Sequence, residues 1–270
     1  MAAAGMQTGG KWSVIAMLAS ERHARISDLL RTSRIISTDE LAKSLDVSTE
    51  TIRRDLAALE RHGVLERVHG GARSAVVPTV GDEPPFLERA TIAGTAKSRI
   101  GAAAAALIQP GQTIIIDVGT TALQVARSLP YEFAGVVATC SLLAAVELAD
   151  RPNLEVLVSG GRLRSGDLAL SNGQAVNFFD DIYADIAFLG SGGVDAVAGL
   201  TDFHLDEAIT RRSILRNSRK TYVLADSSKF DRVARHRVAG LDQVTGMITD
   251  REPPMDIAQA LDPGTLIIAL

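Results

Sequence analysis

From Thr113 onward the sequence alternates between two periodicities, and that alternation constrains the fold more than any other feature. Short β-type apolar runs stand at Thr113–Ile116, Val136–Thr139, Leu154–Val158, Ile186–Leu189, Tyr222–Ala225, Met247–Thr249 and Leu266–Ala269. Helical stretches fall near 90–108, 120–129, 141–149, 172–181 and 204–219. Strands separated by helices are joined by crossovers rather than hairpins, so the pattern predicts an α/β domain with a doubly wound, mostly parallel sheet covered on both faces.

The N-terminal part follows a different rule. Apolar residues recur at helical spacing in three short blocks: Ile26, Leu29 and Leu30; Leu41 and Leu45; Ile52, Leu56 and Leu59. Ser37-Thr38-Asp39-Glu40 supplies caps and early acids for the second helix, and Ser48 caps the third. Only Asp46 and Val47 separate those two helices, which forces the sharp crossing of a helix-turn-helix. Two extended runs around Gly70-Gly71 then read as a β-hairpin wing. The expected organisation is a disordered start over 1–19, a winged helix-turn-helix over 20–74, a Pro-containing linker over 75–87 and the α/β domain over 88–270.

A helix-turn-helix lays its second helix in the major groove, so the informative segment is Ser48-Thr49-Glu50-Thr51-Ile52-Arg53-Arg54-Asp55. Arg53 and Arg54 can pair with guanine or clamp a phosphate, and the hydroxyls of Ser48, Thr49 and Thr51 suit phosphate and base-edge contacts. Arg67 and His69 of the wing, with Arg73 beside them, are placed to reach the backbone or minor groove. The formal charge of −4 looks wrong for a polyanionic partner until it is divided. Residues 20–74 hold ten Lys and Arg against nine Asp and Glu, whereas 75–270 hold seventeen against twenty-three. Local arginine placement, not bulk charge, must therefore carry any nucleic-acid site. The plainer alternative makes Arg53 and Arg54 a solvated face paired with Glu50 and Asp55, on a module that binds protein.

In the second part, the run ending at Asp117 leads into Gly119-Thr120-Thr121 and a helix, so backbone N–H groups, two hydroxyls and a helix N-terminus converge on a place for an anion. Thr139-Cys140-Ser141 repeats the device, and Gly160-Gly161-Arg162 adds flexible backbone and a cation. Asp117, Asp195 and Glu207 are acceptors suited to sugar hydroxyls. Each motif also has a plain reading, as a helix cap or a turn. A sugar-phosphate isomerase is the enzymatic alternative, with Lys97 as phosphate anchor beside those carboxylates. The single cysteine, Cys140, excludes an internal disulfide and a cysteine-built metal site. Nothing near it in sequence lowers its pKa, and the five histidines lack metal-ligand spacing. No metal, cofactor or catalytic residue is assigned.

On these residues the chain resembles the DeoR family of bacterial sugar-metabolism regulators over about 20–251. The carrying motifs are Ser48–Leu56, Arg67-Val68-His69-Gly70-Gly71, Asp117–Thr121, Ser159-Gly160-Gly161, Gly190–Asp195, Gly199-Leu200-Thr201 and Ala225–Phe230. The resemblance implies a repressor of carbohydrate-metabolism genes that binds double-stranded operator DNA as a homo-oligomer, dimer or tetramer. A phosphorylated sugar or related metabolite releases it, and the sensor fold is related to ribose-5-phosphate isomerase. It also implies Lys97 and Lys229 as phosphate partners. Cys140 and Arg211 stand where the family usually shows Asn and Lys, both bordering the expected pocket. A cytoplasmic, bacterial protein is expected, since residues 1–10 do not resemble a secretory signal and no apolar stretch is long enough to span a membrane.

Overall fold

The computed structural model describes residues 19–32, 35–61, 65–68, 70–74 and 83–270. The chain divides into two compact units, Met1–Thr79 and Val80–Leu270.

The first unit contains α1 (Ala19–Thr32), β1 (Ile35–Ser37), α2 (Thr38–Leu45), α3 (Thr49–Arg61), β2 (Leu65–Val68) and β3 (Gly71–Ser74). Ser37 and Glu40 close a reciprocal capping box at the start of α2, and Asp46 ends that helix in the left-handed conformation. The Ser48 hydroxyl accepts from the Thr51 amide at 3.1 Å, starting α3. Ile26, Leu30, Leu41, Leu45, Ile52, Leu56 and Leu59 share one buried core with Leu65 and Ala72 of the wing. The sheet order is β1-β3-β2, antiparallel, so the hairpin gains a third strand that the apolar pattern does not announce. Gly71 is required where it crosses β1, because a Cβ there would lie 2.3 Å from the Ile36 carbonyl oxygen.

The second unit runs α4 (Phe86–Thr91), α5 (Gly94–Ala105), β4 (Thr113–Ile116), α6 (Thr120–Ser128), β5 (Gly135–Thr139), α7 (Leu142–Leu148), β6 (Leu154–Val158), β7 (Arg162–Arg164), β8 (Ala169–Ser171) and α8 (Gly173–Asp180). It continues through β9 (Ile186–Leu189), β10 (Gly193–Asp195), β11 (Gly199–Asp202), α9 (Leu205–Arg216), β12 (Thr221–Leu224), β13 (His236–Ala239), β14 (Gly246–Thr249), α10 (Met255–Gln259) and β15 (Leu266–Ile268). All seven runs singled out by their apolar pattern form one sheet, ordered β15-β14-β12-β9-β4-β5-β6, and every pairing in it is parallel. Alternate residues serve opposite faces. Ile114 and Ile116 pack with α5, α6 and α7, whereas Ile115 joins Phe179 of α8, Ala208 and Ile214 of α9 and Ile257 of α10. Because β4 and β5 lie on one side and β9 on the other, the strand order reverses between β4 and β9, and a crevice opens at their carboxyl ends.

Three features differ from the sequence expectation. Phe86 and Leu87, read as the end of a linker, form the first turn of α4, and Ala93 at φ 53° breaks the expected 90–108 helix into two. Residues 190–202, to which the apolar pattern assigned no element, supply β10 and β11, which join β13 in an antiparallel sheet. The β7–β8 hairpin was likewise not signalled, since three-residue strands are too short for a period to show.

Candidate functional site

On the first unit, α3 presents Arg53 and Arg54 to solvent with side chains 60% and 79% exposed, held loosely by Glu50 at 3.6 and 3.5 Å. Ser48 is exposed, Thr49 and Thr51 are half-buried, and the Ser48 and Thr51 hydroxyls are bonded at 2.8 Å. Asp55 does not belong to this face. Its carboxylate is buried and receives Arg22 Nε at 2.8 Å and Nη2 at 3.1 Å, with His23 Nε2 at 2.9 Å. Burial alone would raise its pKa, but these partners outweigh that and hold it below the usual carboxylate range. The arginines of α3 are thus left without a buried acid to neutralise them. Arg67 is exposed, its amide donating to Glu60. His69 and the Arg73 side chain lie outside the described part of the structure.

On the second unit, the crevice between β4 and β9 is a cleft lined by Glu83, Arg89, Val118, Gly119, Thr120, Thr121, Asp167, Gly190, Ser191, Asp202, Glu207, Arg211 and Lys229. Gly119 at φ 125° turns the chain from β4 into α6, a conformation that side chains disfavour, and thereby aims the α6 N-terminus into the cleft. Lys229 lines the same cleft, and its ammonium makes no hydrogen bond to another described residue. Burial, opposed by Asp226, pushes its pKa down to about 8.

The floor is a charge network centred on Arg211, whose side chain is 3% exposed. Its guanidinium donates from Nε to Asp117 at 2.6 Å, from Nη1 to Asp202 and from Nη2 to Glu207 at 3.1 Å. Asp117 also accepts from the Gly190 amide at 2.9 Å, and Arg164 bridges Glu207 to Asp167. Burial, with Asp202 next, pushes Glu207 up to about 8. The Cys140 thiol is buried 3.6 Å from Asp117, and burial raises its pKa further, so it stays a protonated core residue.

Of the expected effector residues, the cleft gathers Gly119, Thr120, Thr121, Glu207 and Lys229 and leaves out the rest. Asp117 is 1% exposed beneath it, its Oδ2 accepting from Arg211 and the Gly190 amide and its Oδ1 from the Cys140 thiol at 3.6 Å, and it does not line the cleft. Thr139 and Ser141 spend their oxygens on the Ser141 and Ala144 amides as the cap of α7. Gly160 and Gly161, both at positive φ, form the turn into β7, where Gly161 packs on the Ser171 carbonyl. Arg162 is exposed and paired with Asp206 at 3.0 Å. Asp195 accepts from the Val197 and Ala198 amides in the β10–β11 turn. Lys97 is buried and donates to the Arg89 carbonyl at 2.5 Å. Glu83, Arg89, Asp167, Ser191 and Asp202 were not foreseen. Only Arg211, four residues after Glu207 on one helix face, carried a spacing signal.

The model of the DeoR-like helix-turn-helix domain matches residues 22–76 and that of the DeoR C-terminal sensor domain matches 93–251. The chain belongs to the DeoR family. This DeoR-family regulator is 32% identical over 245 residues to the glycerol-3-phosphate regulon repressor of Escherichia coli, covering 91% of this chain and 96% of the relative. It is 33% identical over 260 residues to the transcriptional repressor CsqR of the same organism, covering 96% and 98%. Fold likenesses are looser. Ribose 5-phosphate isomerase A from Methanocaldococcus jannaschii has a TM-score of 0.39 at 19% identity, over 51% of this chain and 55% of that one. The sorbitol operon regulator SorC from Klebsiella pneumoniae has 0.42 at 13% identity, over 88% and 97%. Among the described residues, no helix is long and apolar enough to cross a membrane, and no cluster of His, Cys, Asp and Glu is arranged to hold a metal ion.

Proposed function

We propose that this regulator represses genes of carbohydrate metabolism, binding double-stranded operator DNA through α3 and releasing it when a phosphorylated sugar or related metabolite fills the cleft. The observation that carries the reading is the juxtaposition, at the topological switch point, of the α6 N-terminus and the unpaired Lys229 with a floor of carboxylates. One end of such a cleft suits a phosphate and the other suits hydroxyls. The same floor argues against turnover. Asp117, Asp202 and Glu207 share the Arg211 guanidinium, so no carboxylate stands free as a general base. A homo-oligomer, dimer or tetramer, would align two or more α3 helices with repeated half-sites.

Thermal unfolding with a panel of sugar phosphates and their dephosphorylated parents tests the effector reading. A phosphorylated compound should raise the melting temperature, its parent should not, and Lys229→Met should abolish the effect. Equal shifts from a sugar and its phosphate would overturn it.

A further inference from the structure

The cleft already contains an anion of its own. Glu83 is the first described residue of the second unit, which begins at Val80, immediately after the DNA-binding unit in the chain. Its carboxylate lines the cleft, 13% exposed, and is held from two sides by Arg89 Nη1 at 2.8 Å and His204 Nε2 at 3.3 Å. It also acts on Lys229 and Arg232, raising the pKa of each against the effect of burial. Arg89 in turn lies 3.7 Å from Asp167, donates to the Pro84 carbonyl at 2.9 Å, and lends its own carbonyl to Lys97. The segment 83–89 is thus a strap that lines the cleft with Glu83 and Arg89 and is tied by their charges, with Phe86 as its apolar anchor against the core of the second unit. α4 contributes no fully buried residue, and Leu87 is 79% exposed.

We propose that Glu83 is a tethered competitor of the effector: its carboxylate occupies the cationic end of the cleft in the effector-free state, and an entering phosphate displaces it together with the strap. The inference rests on the reading of the cleft as an effector site. It supplies a relay, because the displaced segment is the chain that leads back to the DNA-binding unit. Arg89 changes partners from Glu83 to the ligand anion, and Lys229 exchanges one carboxylate's field for a phosphate. The ligand's preference for the strap-open state is the differential affinity that any such coupling requires.

Glu83→Gln tests the proposal, since it removes the charge and keeps the shape at a position outside the α3 face. The probes are inorganic phosphate and glycerol 3-phosphate, titrated calorimetrically into the full-length protein. The expected result is that both bind the variant about five- to tenfold more tightly than the wild type, within the usual span of coupling factors. The variant should also bind its own promoter DNA more weakly without any effector. Glu83→Asp, which restores the charge on a shorter arm, should move both values back toward wild type. Unchanged anion affinity with a lower melting temperature would reduce Glu83 to an ordinary ion pair and overturn the proposal while leaving the effector reading intact. Binding of neither probe to either protein would overturn both, and so would a cleft mutant such as Lys229→Met that binds them as well as wild type, since the anion would then sit elsewhere.

Discussion

Replacing Arg211 by methionine tests the electrostatic account of the sensor most severely. The substitution keeps most of the side-chain volume and deletes one charge that three carboxylates share, each with a side chain no more than 10% exposed. Removing one partner of a buried ion pair costs about 3 to 5 kcal/mol, because the remaining charge is left desolvated. For a unit the size of Val80–Leu270, each kcal/mol moves the melting temperature by about 2 to 4 °C, so a fall of about 6 to 20 °C is expected near neutral pH. The loss should shrink in acid. Freed of that cation, Glu207, already pushed up by burial, is driven further up, so stability returns as pH falls. Glu207 behaves this way already in the native protein. Pushed up to about 8, it contributes stability that is complete below about 4.5, the ordinary glutamate value, and is lost as pH rises through 8. Differential scanning calorimetry of wild type and Arg211→Met at pH 5 and pH 7.5 reads both effects. A fall of less than about 3 °C, or one of equal size at the two pH values, would refute the reasoning.

Other expectations follow from the first unit. Arg53→Ala should cost about 1 to 3 kcal/mol of specific DNA binding if its guanidinium reads a base, and anisotropy on specific against random DNA measures it. Asp55→Asn should loosen α3 from α1 by removing the charge that Arg22 and His23 share, lowering specific affinity more than non-specific affinity in the same assay. Gly71→Ala should destabilise the wing by about 1 to 3 kcal/mol in denaturant titration, because the new methyl meets the backbone of Ile36 and Ser37, which cannot give way as a side chain could.

Regular elements were legible in the sequence wherever a period had room to repeat. Four- and five-residue aliphatic runs such as Thr113–Ile116 and Leu154–Val158 marked the parallel sheet, and the capped helices α2 and α3 declared the helix-turn-helix. Three-residue strands such as Gly193–Asp195 gave no such signal, and neither did the role of Gly160-Gly161, a pair equally suited to an anion cradle or a turn. The cleft was half legible for a related reason. Motifs at strand ends located Gly119-Thr120-Thr121, but which carboxylates face ligand and which face Arg211 depends on contacts between residues as distant as Asp117 and Arg211. Short-range pattern does not encode that pairing. It marked Asp117 as a ligand-binding acceptor, whereas the residue is buried beneath the cleft with its Oδ2 accepting from Arg211 and Gly190. Glu83 escaped notice because a proline-flanked, aperiodic segment reads as a spacer, whatever charges it carries.

The central claim is a DNA switch worked by a phosphorylated metabolite, and one titration addresses it directly. Fluorescence anisotropy of the purified protein on DNA from its own upstream region and on random DNA, at about 50 and 200 mM salt, should show tighter binding to the specific fragment and a steep loss with salt on both. Adding sugar phosphates one at a time at the lower salt should weaken the specific complex with at least one of them, while the parent sugars leave it unchanged. Salt-insensitive binding, or no preference for the upstream fragment with any compound present, would contradict the account.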